Sequence, residues 1–523
     1  MRSPLAAPAA AALLLAASSH DVIAFSPSAP ILTPCAGRAL APQSGIRPGR
    51  HHCSAGRRQT AQSRTSLSAA AAPTASASNN ATIQRVASTS LLVAADVAIR
   101  RLFQARSIAF PSSLAGCGFL FAALLTLHAA RAEWGDAVHG VLAPGAAVLA
   151  KWLPVFFVPS LVTLPLAQSM GSGVELAKVA AVIGGGFLFT LFTTAGSVLA
   201  VRKLMGGSGD NDYDDDQGGD VDISAPLTPA AVPSPAPKAF ADSTANGLIA
   251  LAATSGALAT IATRSGSAWG DPLQSAYLLF TTLATFVFGA RLPKSFTKVV
   301  HPLVTCTSLT WLGVHLMTRL VGGGATFLSL LKGYKAGTLA PMAAGAGDVL
   351  LFLLGPAVVA LACQMYDRRQ LMRENIAEVG TAAGVSSFGG VLGTAALVRV
   401  LGIANPTIRL CLLSRNITSP LAMSIASILG ADISLAVSMV VITGLIGANF
   451  GASILDAVGI KDAVARGLGI GAAAHGLGTA AFANEKDAFP FAAISMALTG
   501  ALTTVLVSLP AIKKVVLNLA LGV

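Results

Sequence analysis

The sequence predicts an all-α, polytopic membrane protein of about twelve transmembrane helices in two modules, with broken helices in the carboxy-terminal module. Three observations carry that expectation. Only 11% of the residues are charged, where soluble domains average about 25%. Mean hydropathy is +0.69. Apolar runs of membrane-spanning length recur along the chain, divided once by a polar segment. Abundant glycine and alanine suit membrane helices, whose backbones approach closely where side chains are small.

Residues 1–85 read as a cleaved bipartite leader. Arg2 precedes an apolar core, Leu5 to Ala17, too short to span a bilayer. After Ala24-Phe25-Ser26-Pro27 the chain is rich in Ala, Ser, Pro and Arg, which is transit-peptide composition. The leader holds eight arginines against one acid, Asp21, so it supplies most of the net charge of +12. That charge therefore gives no reason to expect a nucleic-acid partner.

The first membrane module is expected over 86–202, with apolar runs near 86–99, 110–130, 137–150, 152–167 and 178–201. Pro144-Gly145 suggests a broken segment. Asp96, Glu175 and His128 suit structural or helix-end roles. Gly184-Gly185-Gly186 lacks the strand, Lys and Ser/Thr of a phosphate loop. Residues 203–245, acidic and then Pro-rich, read as a linker. The second module, 246–523, has shorter runs interrupted by glycine, among them 325–340, 404–414, 417–430 and 463–483. Six cysteines are too scattered for a disulfide framework and show no ligand spacing. No metal and no cofactor is expected.

Chemistry concentrates between Arg415 and Ala481. Polar groups there interrupt apolar sequence, first at Arg415-Asn416-Ile417-Thr418-Ser419-Pro420 and later at Ala474-His475-Gly476-Leu477-Gly478-Thr479. In hydrocarbon such groups are costly, so they face a protein interior or a water-filled path. Two broken segments of this kind are how many carriers build a site at the membrane midplane. Arg415 can hold a carboxylate through two parallel N–H bonds. The alternative for it is a basic side chain snorkelling from a helix end. Asn416, Thr418 and Ser419 add donors. If Pro420 starts a half-helix, the amides near 417–419 add an anion site. His475 reads as a substrate contact or proton carrier, since a free imidazole titrates at about 6.5; otherwise it caps a carbonyl. Thr479 shares its face if the segment is helical. Asn449, between glycines, suits either a ligand or an interhelical hydrogen bond. Gly444, Gly447 and Gly451 read as a helix-packing seam.

Several of these stretches resemble a known family. Leu353-Leu354-Gly355-Pro356, Arg415–Pro420, Thr443-Gly444-Leu445-Ile446-Gly447-Ala448, Lys461-Asp462-Ala463-Val464-Ala465-Arg466-Gly467 and His475–Ala480 resemble LrgB. Pro111-Ser112-Ser113-Leu114-Ala115-Gly116 and Leu153-Pro154-Val155-Phe156 are similar, more weakly, to LrgA. Fused behind a leader, the pair resembles the LrgA/LrgB fusion family of plastid translocators. That resemblance implies a secondary transporter exchanging glycolate and glycerate, or moving them with a proton, across the plastid inner envelope in photorespiration. Its partners would be small organic anions and the lipid membrane, with homo-oligomerisation left open. Bacterial members are described as holin-like or as murein-hydrolase regulators, which is the alternative. No catalytic residue is assigned: there is no serine elbow and no carboxylate matched to His475.

Overall fold

The computed structural model describes residues 75–108, 110–156, 158–166, 171–206, 240–297, 300–482 and 485–522. Most of the expected leader and linker, with Cys35 and Cys53, lies outside them.

Secondary structure is helical throughout the described residues. The amino-terminal part comprises α1 (Ala75–Ala105), α2 (Ser112–Ala130), α3 (Ala132–Phe156) and α4 (Gly173–Leu204). The second part begins with α5 (Asp242–Arg264), α6 (Gly270–Ala290), α7 (Pro302–Val321), α8 (Ala346–Asp367) and α9 (Ile376–Val400). It ends with α10 (Pro406–Leu412), α11 (Ser419–Leu429), α12 (Ile433–Ala457), α13 (Ala463–Ala481), α14 (Phe489–Ser508) and α15 (Pro510–Leu521).

Nine helices among the described residues are long and apolar enough to cross a membrane. Of the remaining helices, α1, α7 and α13 are long enough but are not among the nine, and several of the other expected runs are short. Residues 404–414 and 417–430 form the half-helices α10 and α11. Pro406 and Pro420 start them, and Gly430 ends α11 in the left-handed region. The 325–340 run contracts to a helix at Phe327–Tyr334, opened by a Thr326–Ser329 capping box. The break expected at Pro144-Gly145 does not occur, and α3 runs through it. Gly145 lies against the backbone of Ser88 and Thr89. Close packing on α1 therefore outweighs the hydrogen bond that proline removes.

The two parts interlock. α4 packs on α9 and α13, whereas α8 packs on α1, α2 and α3. Ion pairs fix α4 at both ends. Near its start, Glu175 accepts from Lys178 Nζ at 2.9 Å and from the Ala404 amide at 2.9 Å, and Lys178 donates to the Gly402 carbonyl at 2.8 Å. Near its end, Arg202 pairs with Asp462 at 3.0 Å and approaches Glu378 at 3.9 Å. With 32 residues, α4 is roughly 48 Å long. These clusters therefore mark opposite sides of the bundle, the Glu175 side and the Arg202 side.

Two hairpins enter from those opposite sides. α9 leaves the Arg202 side at Glu378 and reaches the Glu175 side at Gly402–Ala404. α10 then goes inward and α11 returns, because the next helix, α12, spans back and ends beside Arg466, with Asp456 Oδ1 2.6 Å from Arg466 Nη1. α13 starts on the Arg202 side at Asp462 and also returns there. Glu485, just past its end, accepts from Arg466 Nε at 2.9 Å and Nη2 at 2.8 Å.

Candidate functional site

The tip of the α10–α11 hairpin is Ser414 to Ser419. Arg415 is wholly buried, at 0% exposure, which rules out the snorkelling alternative. Its guanidinium lies against α4: Nη2 donates to Thr190 Oγ1 at 3.2 Å. The Thr190 hydroxyl donates in turn to the Gly186 carbonyl at 3.0 Å. A side chain at Gly186 would overlap the guanidinium, so only glycine admits Arg415 here. Gly186 and Thr190 lie roughly 20 Å along α4 from either charged end, which puts the tip mid-bundle.

This tip leaves polar atoms unpaired. Ser414 Oγ, Arg415 Nε and Nη1, Asn416 Oδ1 and Thr418 Oγ1 are buried with no hydrogen-bond partner among the described residues. No carboxylate among those residues pairs with Arg415. A buried cation without a counter-charge costs several kcal/mol (about 3–5 where one partner of an ion pair is removed). Donors left open around it cost about 1–3 kcal/mol each. Ser419 is buried at the first turn of α11, with Pro420 behind it. In that turn Pro420 has no N–H and the Leu421 amide donates to the Thr418 carbonyl at 3.0 Å, so it is the Ser419 amide that joins the guanidinium in favouring an anion.

The α13 hairpin turns at His475, whose φ of 44° and ψ of −139° interrupt the helix. Such a conformation costs a non-glycine residue about 1–3 kcal/mol and persists only where packing over-determines it. The α12 glycines supply that packing. A Cβ on Gly444 would lie 2.6 Å from the imidazole Cε1, and side chains at Gly447 and Gly451 would overlap Ala474 and Ile470. The seam expected from their spacing is thus also the seat of the kink. His475 is buried, with Nε2 2.9 Å from the Val440 carbonyl. A carbonyl only accepts, so Nε2 carries the hydrogen and, in the neutral ring, Nδ1 keeps a lone pair.

The two tips touch: Asn416 Nδ2 donates to the Ala472 carbonyl at 3.2 Å. Gly390 on α9 makes room for this amide, since a Cβ there would lie 2.9 Å from Asn416 Nδ2. This bond joins the Arg415–Ser419 tip to α13 three residues before His475, between hairpins entering from opposite sides. Thr479 is near but differently placed. The kink at His475 cancels the expected shared helix face, and Thr479 Oγ1 donates to the Ala492 carbonyl at 3.3 Å. Asn449 does not join the group. It sits on an exposed face of α12, because that helix turns Gly444, Gly447 and Gly451 toward α13 instead. Gly186 and Thr190 were not among the expected site residues. The one hint was the glycine triplet at Gly184–Gly186, in the middle of an apolar run.

A family model described as the LrgB-like family matches residues 282–512. The plastidal glycolate/glycerate translocator 1 of Arabidopsis thaliana is 32% identical over 86% of this chain and 85% of its own. The holin-like protein CidB of Staphylococcus epidermidis is 24% identical over 45% of this chain and 95% of its own. CidB of Staphylococcus aureus matches at 24% over 45% and 96%. No solved structure matches. With the family match spanning both hairpins and the Arabidopsis relative matched along most of both chains, this protein belongs to the LrgB-like family.

Proposed function

We propose that this chain is a secondary transporter of small 2-hydroxy monocarboxylates such as glycolate and glycerate, moving them by exchange or with a proton across the plastid inner envelope. The observation that carries this reading is the fully buried Arg415, whose Nε and Nη1 have no partner among the described residues. A carboxylate supplies the missing charge and accepts from one of these nitrogens together with the second hydrogen of Nη2. Asn416 Oδ1, Ser414, Thr418 and the free nitrogen of His475 suit a hydroxyl one carbon away. Opposed hairpins meeting mid-bundle give each membrane side its own gate to one site, as alternating access requires. The substrate names come from the description of the Arabidopsis relative.

The holin-like description of the CidB relatives favours a second reading, an oligomeric pore. A pore needs a continuous polar stripe across the bilayer, whereas the polar groups here gather at two tips. Counterflow in proteoliposomes separates the two readings. Labelled glycolate should accumulate transiently against unlabelled glycolate or glycerate inside, and R415Q should abolish it. Passive equilibration with no counterflow, equal in R415Q, would favour the pore.

A further inference from the structure

A second charged group lies away from the hairpin tips. Asp96, near the end of α1, is fully buried. Its Oδ2 accepts from Arg100 Nη2 at 2.8 Å and its Oδ1 from Ser113 Oγ at 2.6 Å. Gly355 on α8 allows this, because a Cβ there would meet Asp96 Cγ at 2.9 Å. The Arg100 guanidinium also lies 5.5 Å from the ring centre of Phe352. Arg100 is therefore held from two sides, yet 35% of its side chain stays exposed.

Arg100 lines a cavity of about 820 Å³, together with Lys513 of α15 and the hydroxyls of Ser113, Ser424, Ser427 and Ser508. Asp96 offsets Arg100, and no carboxylate among the described residues pairs with Lys513. The cavity thus keeps one uncompensated positive charge, set among hydroxyls. Ile433, at the start of α12, and Ser508, at the end of α14, both line it, so it opens on the Glu175 side. At its inner wall stand Pro420 and Leu421, in the first turn of α11 directly behind Thr418 and Ser419.

We propose that this cavity is the entry vestibule for the anion on the Glu175 side. Lys513 and the Asp96-braced Arg100 capture the carboxylate there, and the serines meet its hydroxyl, before it passes Pro420 to the Arg415 tip. This rests on the transporter reading above. The volume suits a capture step. Cavities of roughly 300–1,000 Å³ hold drug-sized ligands, so a three-carbon acid fits here with its water shell and binds loosely. Focused positive charge then acts mainly on the rate of arrival. Arg100 and Lys513 belong to opposite ends of the chain and converge only in the folded bundle. Asp96 is a positioning residue, acting on the anion through Arg100.

The test is labelled glycolate uptake into proteoliposomes of uncharged, zwitterionic lipid, comparing the wild-type chain with K513Q, K513E, D96N and R415Q at low and high salt. K513Q should raise KM about threefold or more with little change in the maximal rate, K513E should raise it further, and the difference should shrink at high salt. D96N removes the charge that offsets Arg100 and should lower KM, again with less effect at high salt. R415Q should abolish uptake at every glycolate concentration. If the wild-type chain transports and R415Q does not, but the Lys513 variants keep the wild-type KM, the vestibule is refuted and the transporter reading stands. If the Lys513 effect appears only when anionic lipid is added, the cavity holds a lipid headgroup and the proposal is likewise refuted. If the wild-type chain moves no glycolate, the transporter reading fails and the vestibule with it.

Discussion

Arg415 concentrates the energetic cost of this fold in one side chain. A buried guanidinium with two open nitrogens destabilises the empty protein and gains most from a bound carboxylate. R415M should therefore remove uptake while leaving the thermal midpoint unchanged or raised, since replacing buried charge by apolar packing is often neutral or stabilising by about 1–4 kcal/mol. A midpoint lowered by several degrees in a thiol-dye melt would show instead that Arg415 holds the fold together. G186A should also impair uptake, because the added methyl displaces the guanidinium from α4. N449A should stay within about twofold of wild type, as substitutions at exposed positions usually change little. Arg415 and His475 were legible in the sequence because ionisable groups inside apolar runs are expensive and so stand out. Asn449 carried the same flanking pattern, but the azimuth of its helix is set by what α12 packs against. Thr190 is 225 residues from Arg415 along the chain, and nothing local to either residue marks the pairing.

At the level of elements, each hairpin is held by a different device. The α13 hairpin is tied at its base by Arg466, paired with Asp456 and Glu485, and seated at its tip by glycines of α12. R466Q should lower stability by about 1–3 kcal/mol, discounted because both carboxylates are partly solvated, and should reduce uptake in step; a thermal melt beside an uptake assay checks both. G444A acts at the tip, where its methyl would strike the imidazole. It should abolish uptake even where the protein is recovered in normal yield. The half-helices α10 and α11 could be read from Pro406, Pro420 and Gly430. The break at His475 was expected from its polar interruption, but the return of α13 was not legible, since that turn is seated by glycines of another helix. The unbroken course of α3 through Pro144 was hidden for the same reason: a tertiary contact at Gly145 overrides the local signal.

Across the whole molecule, the two sequence modules exchange partners. α4 closes the site of the second part, and α8 packs among helices of the first. Apolar periodicity marks helices but not their neighbours, so this exchange left no trace in the chain. It has a direct consequence. Residues 75–206 and 240–523, produced as separate chains, should each lack transport and regain it when co-expressed, because only together do they bring Gly186 and Thr190 to Arg415. Full activity of the second fragment alone would contradict that role for α4. The Arg415 tip makes a narrower prediction: a small carboxylate binds to the unpaired guanidinium between the two opposed hairpins. Glycolate counterflow in proteoliposomes with wild type and R415Q tests it most directly. Wild type should show robust counterflow and R415Q none at equal incorporation; equal counterflow by the two would mean that the anion does not bind at Arg415.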